Sequence, residues 1–420
     1  MKTNYLKIAR IVLVALFIFS TTVPAHARKD PGYITVSGVV KDLKSRKNLE
    51  YVSISIPGTG IGTISNEDGG FSIKVKDSLR IKTLEISHIG YYNKRIHITD
   101  DDMDNIIILL TPNEKKLKEV IIESGDPLKL VENAILKIGD NYSNVTNQLT
   151  GFYRETIRKR RNYINISEAI INVYKTSYTE GDTDDRVQVL KGRKLLSPKP
   201  GDTLLIKFIG GPNLSSYLDV VKNKDIILNL ETLRYYKFTM EDPAMINERP
   251  HFVVSFIPQV ILPYALFTGN LYIDKETLAF SRAEFYLSMD DRNKATQAIL
   301  RKKPFSLRFK PEEVSYLVTY KEQGGKSYLN YIRNEVRFKC DYQRKLFSTN
   351  YTIVSEMVIT DKNENNVAKI SYKQAFDNRN SLSDKVSNFY DVDFWEDYNI
   401  IEPTESLESA VNKLKKQQNN

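Results

Sequence analysis

Histidine, cysteine and clustered carboxylates are the residues through which this chain could carry out acid–base, nucleophilic or metal chemistry. The carboxylates form three clusters, and a pair of carboxylates can transfer protons when burial separates their two pKa values. All three clusters lie among polar residues without apolar neighbours, which indicates solvated loops. They are formed by Asp100, Asp101, Asp102 and Asp104, by Asp182, Asp184 and Asp185, and by Asp290 and Asp291.

The histidines and the single cysteine match no known catalytic or metal-ligand spacing. Beyond residue 27 the histidines are His88, His97 and His251, and no two of them have the i, i+4 spacing of a helical zinc site. Cys340 cannot form an internal disulfide, and the alternating strand pattern around it predicts a small buried side chain. No Gly-x-Ser-x-Gly turn supports a serine hydrolase. We therefore predict no catalytic, cofactor-binding or metal-binding residue and no enzyme activity.

Two short motifs near the N-terminus have some features of ligand loops. Gly58-x-Gly60-x-Gly62 lacks a following helix, whose N-terminal amides would bind a phosphate. Asn66-x-Asp68-x-Gly70 lacks the third oxygen ligand and the terminal glutamate of a calcium loop. Both motifs are typical of turns between strands, because Asn, Asp and Gly tolerate a positive φ.

The composition is that of a globular protein. Apolar residues make up 41% and charged residues 27% of the 420 residues, which is enough apolar surface for two or three domain cores. The formal net charge is +9, and three of the positive charges lie in the first 27 residues. In an exported chain the remaining mild excess favours anionic envelope polymers or lipid head groups over nucleic acid as partners.

The first 27 residues predict a secretory signal peptide. Lys2, Lys7 and Arg10 precede an apolar run at 11–19, and Ala25-His26-Ala27 is a small-x-small cleavage pattern. The apolar run is shorter than the ~20 residues that a membrane-spanning helix needs. We predict an exported protein in the periplasm or associated peripherally with the outer membrane.

Residues 31–111 have the pattern of a small β-sandwich. Apolar and often β-branched residues alternate with polar ones in seven short stretches, and Gly- and Asn-rich turns separate them. This spacing predicts a seven-strand β-sandwich that needs no metal.

Several spaced elements of this part resemble the carboxypeptidase-D regulatory-like domain. They are Val36-x-Gly38-x-Val40, Val52-x-Ile54-x-Ile56-Pro57-Gly58-Thr59, Thr63-x-Ser65-Asn66-x-Asp68-Gly69-x-Phe71 and Ser87-His88-Ile89-Gly90-Tyr91. The resemblance covers residues 34–110 and implies a prealbumin-like seven-strand fold. It also implies a non-catalytic accessory module at the N-terminus of an exported envelope protein, as in TonB-dependent receptors.

After a linker at 112–125, residues 126–420 predict a β-rich C-terminal domain. Long strand patterns joined by tight turns, such as Gly324-Gly325, predict one large antiparallel sheet. Helices are predicted near 127–138 and 404–416, where apolar residues recur on one face. The chain is therefore predicted to be mostly β, with a sandwich followed by a large antiparallel domain with flanking helices.

Two segments of this domain depart from the strand pattern. Residues 173–199 hold few apolar and several charged side chains, and we interpret them as a mobile excursion or a surface flap. Residues 213–225 carry Leu214, Leu218 and Val221 on one helical face, which predicts a short helical insert.

The C-terminal domain is similar to the periplasmic part of an envelope family that combines it with the regulatory-like domain. The matching motifs are Gly151-Phe152-Tyr153-Arg154-Glu155, Gly269-Asn270-Leu271-Tyr272-Ile273-Asp274 and Phe394-Trp395-Glu396-x-Tyr398-Asn399. The family has no assigned activity, so the resemblance implies a location and not a reaction. The second motif also resembles strands of LolA-like half-barrels, which hold lipoproteins or lipids.

These patterns predict a non-enzymatic cell-envelope protein that binds a partner protein or an amphiphile. We expect both flanking helices to close one face of the large sheet, and strands such as 271–273 and 280–287 to present a concave apolar face on the other side. In the alternative, this face is filled by residues 173–199 or by the first domain. The other function classes are a small outer-membrane β-barrel with a periplasmic sandwich, and an enzyme without a recognisable motif.

The signal-peptide prediction has a direct test. Because the cleavage pattern ends at Ala27, the protein purified from cell envelopes should begin at Arg28. N-terminal sequencing measures this, and a chain that retains Met1 would contradict it.

Overall fold

The structure is a computed structural model that describes residues 32–113, 125–181, 184–204, 206–208, 210–342, 348–388 and 392–418. The predicted signal peptide and most of the predicted linker lie outside these residues. Within the described part of the chain, no helix combines the length and the apolar character needed to cross a bilayer.

The N-terminal part is a sandwich of seven strands, as predicted. Its strands are β1 (Tyr33–Asp42), β2 (Ser53–Ser55), β3 (Gly62–Ile64), β4 (Gly70–Lys76), β5 (Thr83–Ser87), β6 (Lys94–His97) and β7 (Met103–Leu110). One sheet has the order β4-β1-β7 and the other β3-β2-β5-β6. Alternating side chains from both sheets, among them Val36, Ile54, Ile73 and Ile86, are fully buried between them, which is why period-two apolarity identified the fold.

The C-terminal part is built around one large sheet. Ten of its strands run antiparallel to their neighbours, in the order β12-β13-β14-β15-β17-β18-β19-β8-β9-β10. The strands are β8 (Asn147–Lys159), β9 (Asn162–Lys175), β10 (Arg186–Leu196), β12 (Tyr236–Ile246), β13 (Arg249–Pro258), β14 (Phe267–Asp274), β15 (Phe280–Leu287), β17 (Leu307–Gln323), β18 (Lys326–Tyr342) and β19 (Thr349–Asn363). A short strand β20 (Ser387–Asn388) adds parallel to β10, and β11 (Lys207–Phe208) pairs with β16 (Leu300–Lys302) in a separate ribbon. The predicted large antiparallel sheet is confirmed.

Five α-helices accompany the sheet within the described residues. They are α1 (Pro127–Leu136), α2 (Ile138–Asn141), α3 (Pro212–Tyr217), α4 (Arg292–Ile299) and α5 (Glu405–Gln418). Asp126 caps α1 through a hydrogen bond from the Leu128 amide, and Pro127 occupies the first turn. The predicted helical insert at 213–225 is shorter than expected, because its helix ends at Tyr217 and turns follow.

The interpretation of residues 173–199 as an excursion is wrong. Most of this segment is β10 and the end of β9, which pair with each other inside the large sheet. The charged side chains that suggested a surface segment have buried partners. Arg193 of β10 pairs with Glu168, and Lys175 of β9 pairs with Asp185 and Asp219. A count of apolar residues could not reveal strands whose charges neutralise each other.

The two predicted flanking helices lie on opposite faces of the sheet, so the expectation that they close one face is wrong. Helix α1 packs through Val131 and Ala134 on a cluster that includes Ala169 of β9, on what we call the inner face. Helix α5 packs through Leu407 on a cluster that includes Ile166 of the same strand, on the outer face. An apolar stripe shows that a helix needs a partner surface but does not say which face supplies it.

The inner face is largely filled where we expected it to be open. The strands at 271–273 and 280–287 contribute Leu271, Ile273, Phe280 and Phe285 to the same buried cluster as α1. The alternative prediction, in which this face is covered, is therefore nearer to the structure. The cover is helix α1 and the segment after α3, and not residues 173–199.

The outer face carries a buried ion-pair triad. Glu168 of β9 accepts hydrogen bonds of 2.8 Å from Arg154 of β8 and from Arg193 of β10. Burial raises the pKa of Glu168, but the two guanidiniums outweigh burial and hold the pKa below its usual value. The triad thus joins three adjacent strands.

A segment at 394–405, which we call the strap, lies over this triad and beneath the sandwich. Arg154 donates a 2.7 Å hydrogen bond to the Ile401 carbonyl, and the Arg193 guanidinium lies 4.5 Å from the centre of the Trp395 ring. The sandwich binds the other side of the strap. Asn66, in the turn at first compared with a calcium loop, donates from Nδ2 to the Pro403 carbonyl, and Asn399 accepts from the Lys74 amide.

Replacing Glu168 tests whether the triad holds this assembly. In Glu168→Gln two buried guanidiniums lose their counter-charge, and we expect a loss of about 3–5 kcal/mol in the free energy of unfolding. Glu313→Gln is the matched control, because Glu313 pairs with Arg337 at 3.2 Å on the exposed surface and such pairs contribute at most about 1 kcal/mol. Urea unfolding measures both variants, and equal losses would contradict this account.

Candidate ligand cavity

A cavity of about 300 Å³ lies on the inner face of the large sheet. Side chains of four adjacent strands, β18, β19, β8 and β9, form its floor. Ile206, Phe208 and Arg301, from the ribbon of β11 and β16 and the residues beside it, contribute to the opposite wall together with residues 379–381. The cavity therefore lies between the sheet and this two-strand ribbon.

A row of polar side chains crosses the four floor strands. The strand register places Asn334 beside Ser355, Ser355 beside Glu155 and Glu155 beside Ser167. Directly opposite residues of neighbouring strands have their Cβ atoms about 5 Å apart. The first three of these side chains line the cavity, so its floor carries hydroxyl, amide and carboxyl groups in reach of one another.

Apolar side chains border this row on both sides. Val336, Ile353 and Ile157, two residues further along their strands, line the cavity on one side of it. On the other side the register places Ile332, Met357, Tyr153 and Ala169, which belong to the core beneath α1. The floor of the cavity thus has a polar row bordered by apolar side chains, and Asn165 of β9 is a further polar residue beside Ile157.

Two groups of the polar row are electrostatically unusual. Burial raises the pKa of Glu155, whose carboxylate accepts a 3.1 Å hydrogen bond from the Tyr153 hydroxyl. Asn334 is only 8% exposed, and its Oδ1 has no hydrogen-bond partner among the described residues. Burying an amide oxygen without a hydrogen-bond partner costs free energy, because the oxygen loses its hydrogen bonds to water. A ligand that donates a hydrogen bond to this oxygen would recover that cost.

The histidines beyond residue 27 and the single cysteine lie outside the cavity. His251 is buried between the Arg249 carbonyl and the Ser281 hydroxyl, and burial lowers its pKa. Burial also lowers the pKa of His88 to about 4, at the contact between the sandwich and the sheet. Cys340 is buried, as predicted, and burial raises the pKa of its thiol to about 12. Nowhere in the described part of the chain do three His, Cys, Asp or Glu side chains form a group that could hold a metal.

The carboxylate clusters are exposed with one exception. Residues 100–104 lie on the sandwich surface, where Asp102 accepts from the Thr35 amide, and Asp291 caps α4. Asp182 lies outside the described residues. For Asp185 the prediction of a solvated loop is wrong, because its carboxylate lies 3.2 Å from the ammonium group of the fully buried Lys175.

Sequence reasoning did not identify Glu155 and Asn334 as site residues. Glu155 was part of a family motif without a role. The signal was present in the strand alternation, since Tyr153, Glu155 and Ile157 share one face and a carboxylate interrupts an inward-facing apolar set. Its grouping with Asn334 could not be predicted, because the two residues are 179 positions apart and meet through β19.

A family model described as CarboxypepD_reg-like domain matches residues 36–122. The chain carries a CarboxypepD_reg-like domain. The resemblance predicted from the spaced motifs is therefore confirmed for this part of the chain, and the described residues of the domain form the sandwich.

The domain also occurs in a curated relative. TonB-dependent receptor P3 of Formosa agariphila is 29% identical over 107 residues. The match covers 26% of this chain and 10% of the receptor, so the chain spans about a tenth of the length of the relative it matches.

Solved structures show only remote likeness. A DUF1329 family protein from Desulfovibrio piger has a TM-score of 0.26 at 10% identity, over 58% of this chain and 95% of that chain. A LolA superfamily protein from Nitrosomonas europaea has a TM-score of 0.22 at 13% identity, over 55% and 94% of the two chains. MucB in complex with MucA(peri) has a TM-score of 0.19 at 12% identity, over 58% and 100%. At these TM-scores the likenesses carry no argument about this chain.

The burial of Glu155 makes stability depend on pH in a defined direction. A carboxyl whose pKa is raised on folding weakens the folded state as pH rises through that pKa, since the unfolded chain ionises more easily. We expect Glu155→Gln to remove this penalty. The gain in melting temperature over the unsubstituted protein should therefore be larger at pH 7.5 than at pH 4.

Thermal unfolding at both pH values measures this difference. Glu276→Gln is the control, because Glu276 is exposed in the turn between β14 and β15. A Glu155→Gln gain that does not change between the two pH values would contradict a raised pKa.

Proposed function

We propose that this protein is a non-enzymatic protein of the cell envelope that binds an amphiphile in the cavity on the inner face of its large sheet. The observation that carries the proposal is the polar row of the cavity floor with apolar side chains beside it. Ligand cavities are usually apolar surfaces with a few polar groups that orient the ligand. Here Glu155, Ser355 and Asn334 supply those groups, and Ile157, Ile353 and Val336 supply the apolar surface beside them.

The size of the cavity limits the ligand. Its volume of about 300 Å³ is at the lower end of the range of ligand pockets. It suits one acyl chain or a similar slender apolar group with a hydrogen-bonding head. The Glu155 carboxyl group and the Asn334 amide would form hydrogen bonds with such a head, and the Asn334 Oδ1 would accept from it.

The sandwich supports a location in the envelope and not a reaction. A CarboxypepD_reg-like domain also occurs in a TonB-dependent receptor, and the N-terminal pattern predicts export. We propose that the mature protein lies in the periplasm or at the outer membrane. In this proposal residues 31–111 are an adaptor domain, 112–125 a linker and 126–420 the binding domain.

A substitution that fills the cavity tests the proposal. Ser355 is a small floor residue, so the ring of Ser355→Phe would occupy the space that a ligand needs. We expect the purified protein to bind a fluorescent fatty acid that a lipid or lipopeptide displaces, and Ser355→Phe to lose that binding. Thr352→Phe, on the outer face of the same strand and partly exposed, is the matched control and should bind normally.

Stability measurements separate a cavity from a closed core. A phenylalanine forced into a packed core costs about 1–3 kcal/mol, whereas in an open cavity it should cost little. The proposal fails if the unsubstituted protein binds no fluorescent fatty acid below its unfolding transition, or if Ser355→Phe binds it as well as the control does.

A further inference from the structure

One end of the large sheet differs from the other in its exposed side chains. At this end β8, β10, β13, β15 and β18 finish and β9, β12, β14, β17 and β19 begin. We call the described connections at this end the rim, which comprises residues 160–161, 197–204, 259–266 and 288–306. The cavity reaches the rim, because Ser197, Leu204 and Arg301 line it.

The rim is strongly basic. It contains eight Lys or Arg residues and three Asp residues. The basic residues are Arg160, Arg161, Lys199, Arg292, Lys294, Arg301, Lys302 and Lys303. The described turns at the opposite end of the sheet are acidic, with Glu180, Asp184, Asp185, Glu248 and Glu276 against Lys275. The two ends therefore give the sheet a charge asymmetry along its strands.

The rim also exposes apolar side chains. Among the described residues, the two most exposed large apolar side chains are Phe305, at 98%, and Ile261, at 92%, and both belong to the rim. Phe305 lies between Ile299 and Leu307 in the chain, and both of these are buried in the core. Ile261 has Tyr264 as a second exposed apolar neighbour in its loop.

We propose that the rim docks on the surface of an anionic lipid bilayer, with Phe305 inserted among the head groups. An apolar side chain flanked by cations suits this environment, since the cations contact lipid phosphates while the ring enters the acyl boundary. Arg301, Lys302 and Lys303 are exposed and are separated from Phe305 by Pro304 alone. Arg301 and Lys303 each also donate a hydrogen bond to a backbone carbonyl, of Asn378 and Leu307 respectively. The positive charge of the rim is complementary to an anionic lipid surface, which favours that surface over an apolar protein as the partner.

The domain arrangement agrees with this orientation. The sandwich contacts the sheet near its acidic end, where the Gly90 amide donates to the Met245 carbonyl and Lys321 donates to the Thr59 carbonyl. The sandwich therefore leaves the rim uncovered. Docking does not depend on what the cavity binds, so the two proposals can fail separately.

A tryptophan at position 305 reports insertion directly. The chain has one tryptophan, Trp395, which is buried in the strap. With vesicles of phosphatidylcholine and phosphatidylglycerol, Phe305→Trp should shift its emission to the blue and be quenched by brominated acyl chains. Tyr372→Trp is the matched control, because Tyr372 is 82% exposed outside the rim, and its emission should not change.

Vesicle co-sedimentation measures the affinity. Phe305→Ala should weaken binding about tenfold, since a buried aromatic ring is lost, and Lys302→Ser about fivefold. Tyr372→Ala and Lys373→Ser should bind like the unsubstituted protein, and raised salt should weaken binding in all of them.

Three outcomes would overturn the proposal. They are no binding to anionic vesicles, equal binding to vesicles of phosphatidylcholine alone, and rim variants that bind as well as their controls. The cavity variant Ser355→Phe should still bind vesicles, so its loss of fatty-acid binding would concern the cavity alone.

Discussion

The position of Glu168 between Arg154 and Arg193 is the constraint on which the rest of the structure depends. These three buried charges belong to three neighbouring strands and neutralise each other only when the strands are in this register. Arg154 also holds the strap through the Ile401 carbonyl, and the strap in turn holds the sandwich. Removing water from a charge is expensive, so a register that left one of these buried charges without its partner would be strongly disfavoured.

The same register determines the cavity. Because Arg154 points to the outer face, its neighbours Tyr153 and Glu155 must point to the inner face. A slip of one residue would bring the guanidinium into the cavity and expel the carboxyl group. The family motif at residues 151–155 thus has a physical explanation. Arg154 contacts the strap on one face of the sheet, and its neighbours in the chain face the cavity side.

The sequence predicted those structural features that depend on residues close together in the chain. The sandwich strands, the turn at Gly324-Gly325 and the cap at Asp126 follow from alternation and turn chemistry, and the structure contains them. Strand β10 was missed because the partners of its charges lie far away in the chain. The faces chosen by α1 and α5, and the meeting of Glu155 with Asn334, depend on the order of ten strands, which local patterns do not encode.

Strand β12 lies at one edge of this sheet in the described part of the chain, where the Gly90 amide of the sandwich donates to its Met245 carbonyl, and its residues have a consequence for assembly. An unpaired edge offers backbone amides and carbonyls to any other extended chain. In β12 the register with β13 shifts between Glu241 and Ala244, so Asp242 and Pro243 interrupt the ladder. Proline has no amide hydrogen to donate, and the aspartate adds a charge to the edge. A ten-strand sheet can therefore end here without serving as a template for aggregation.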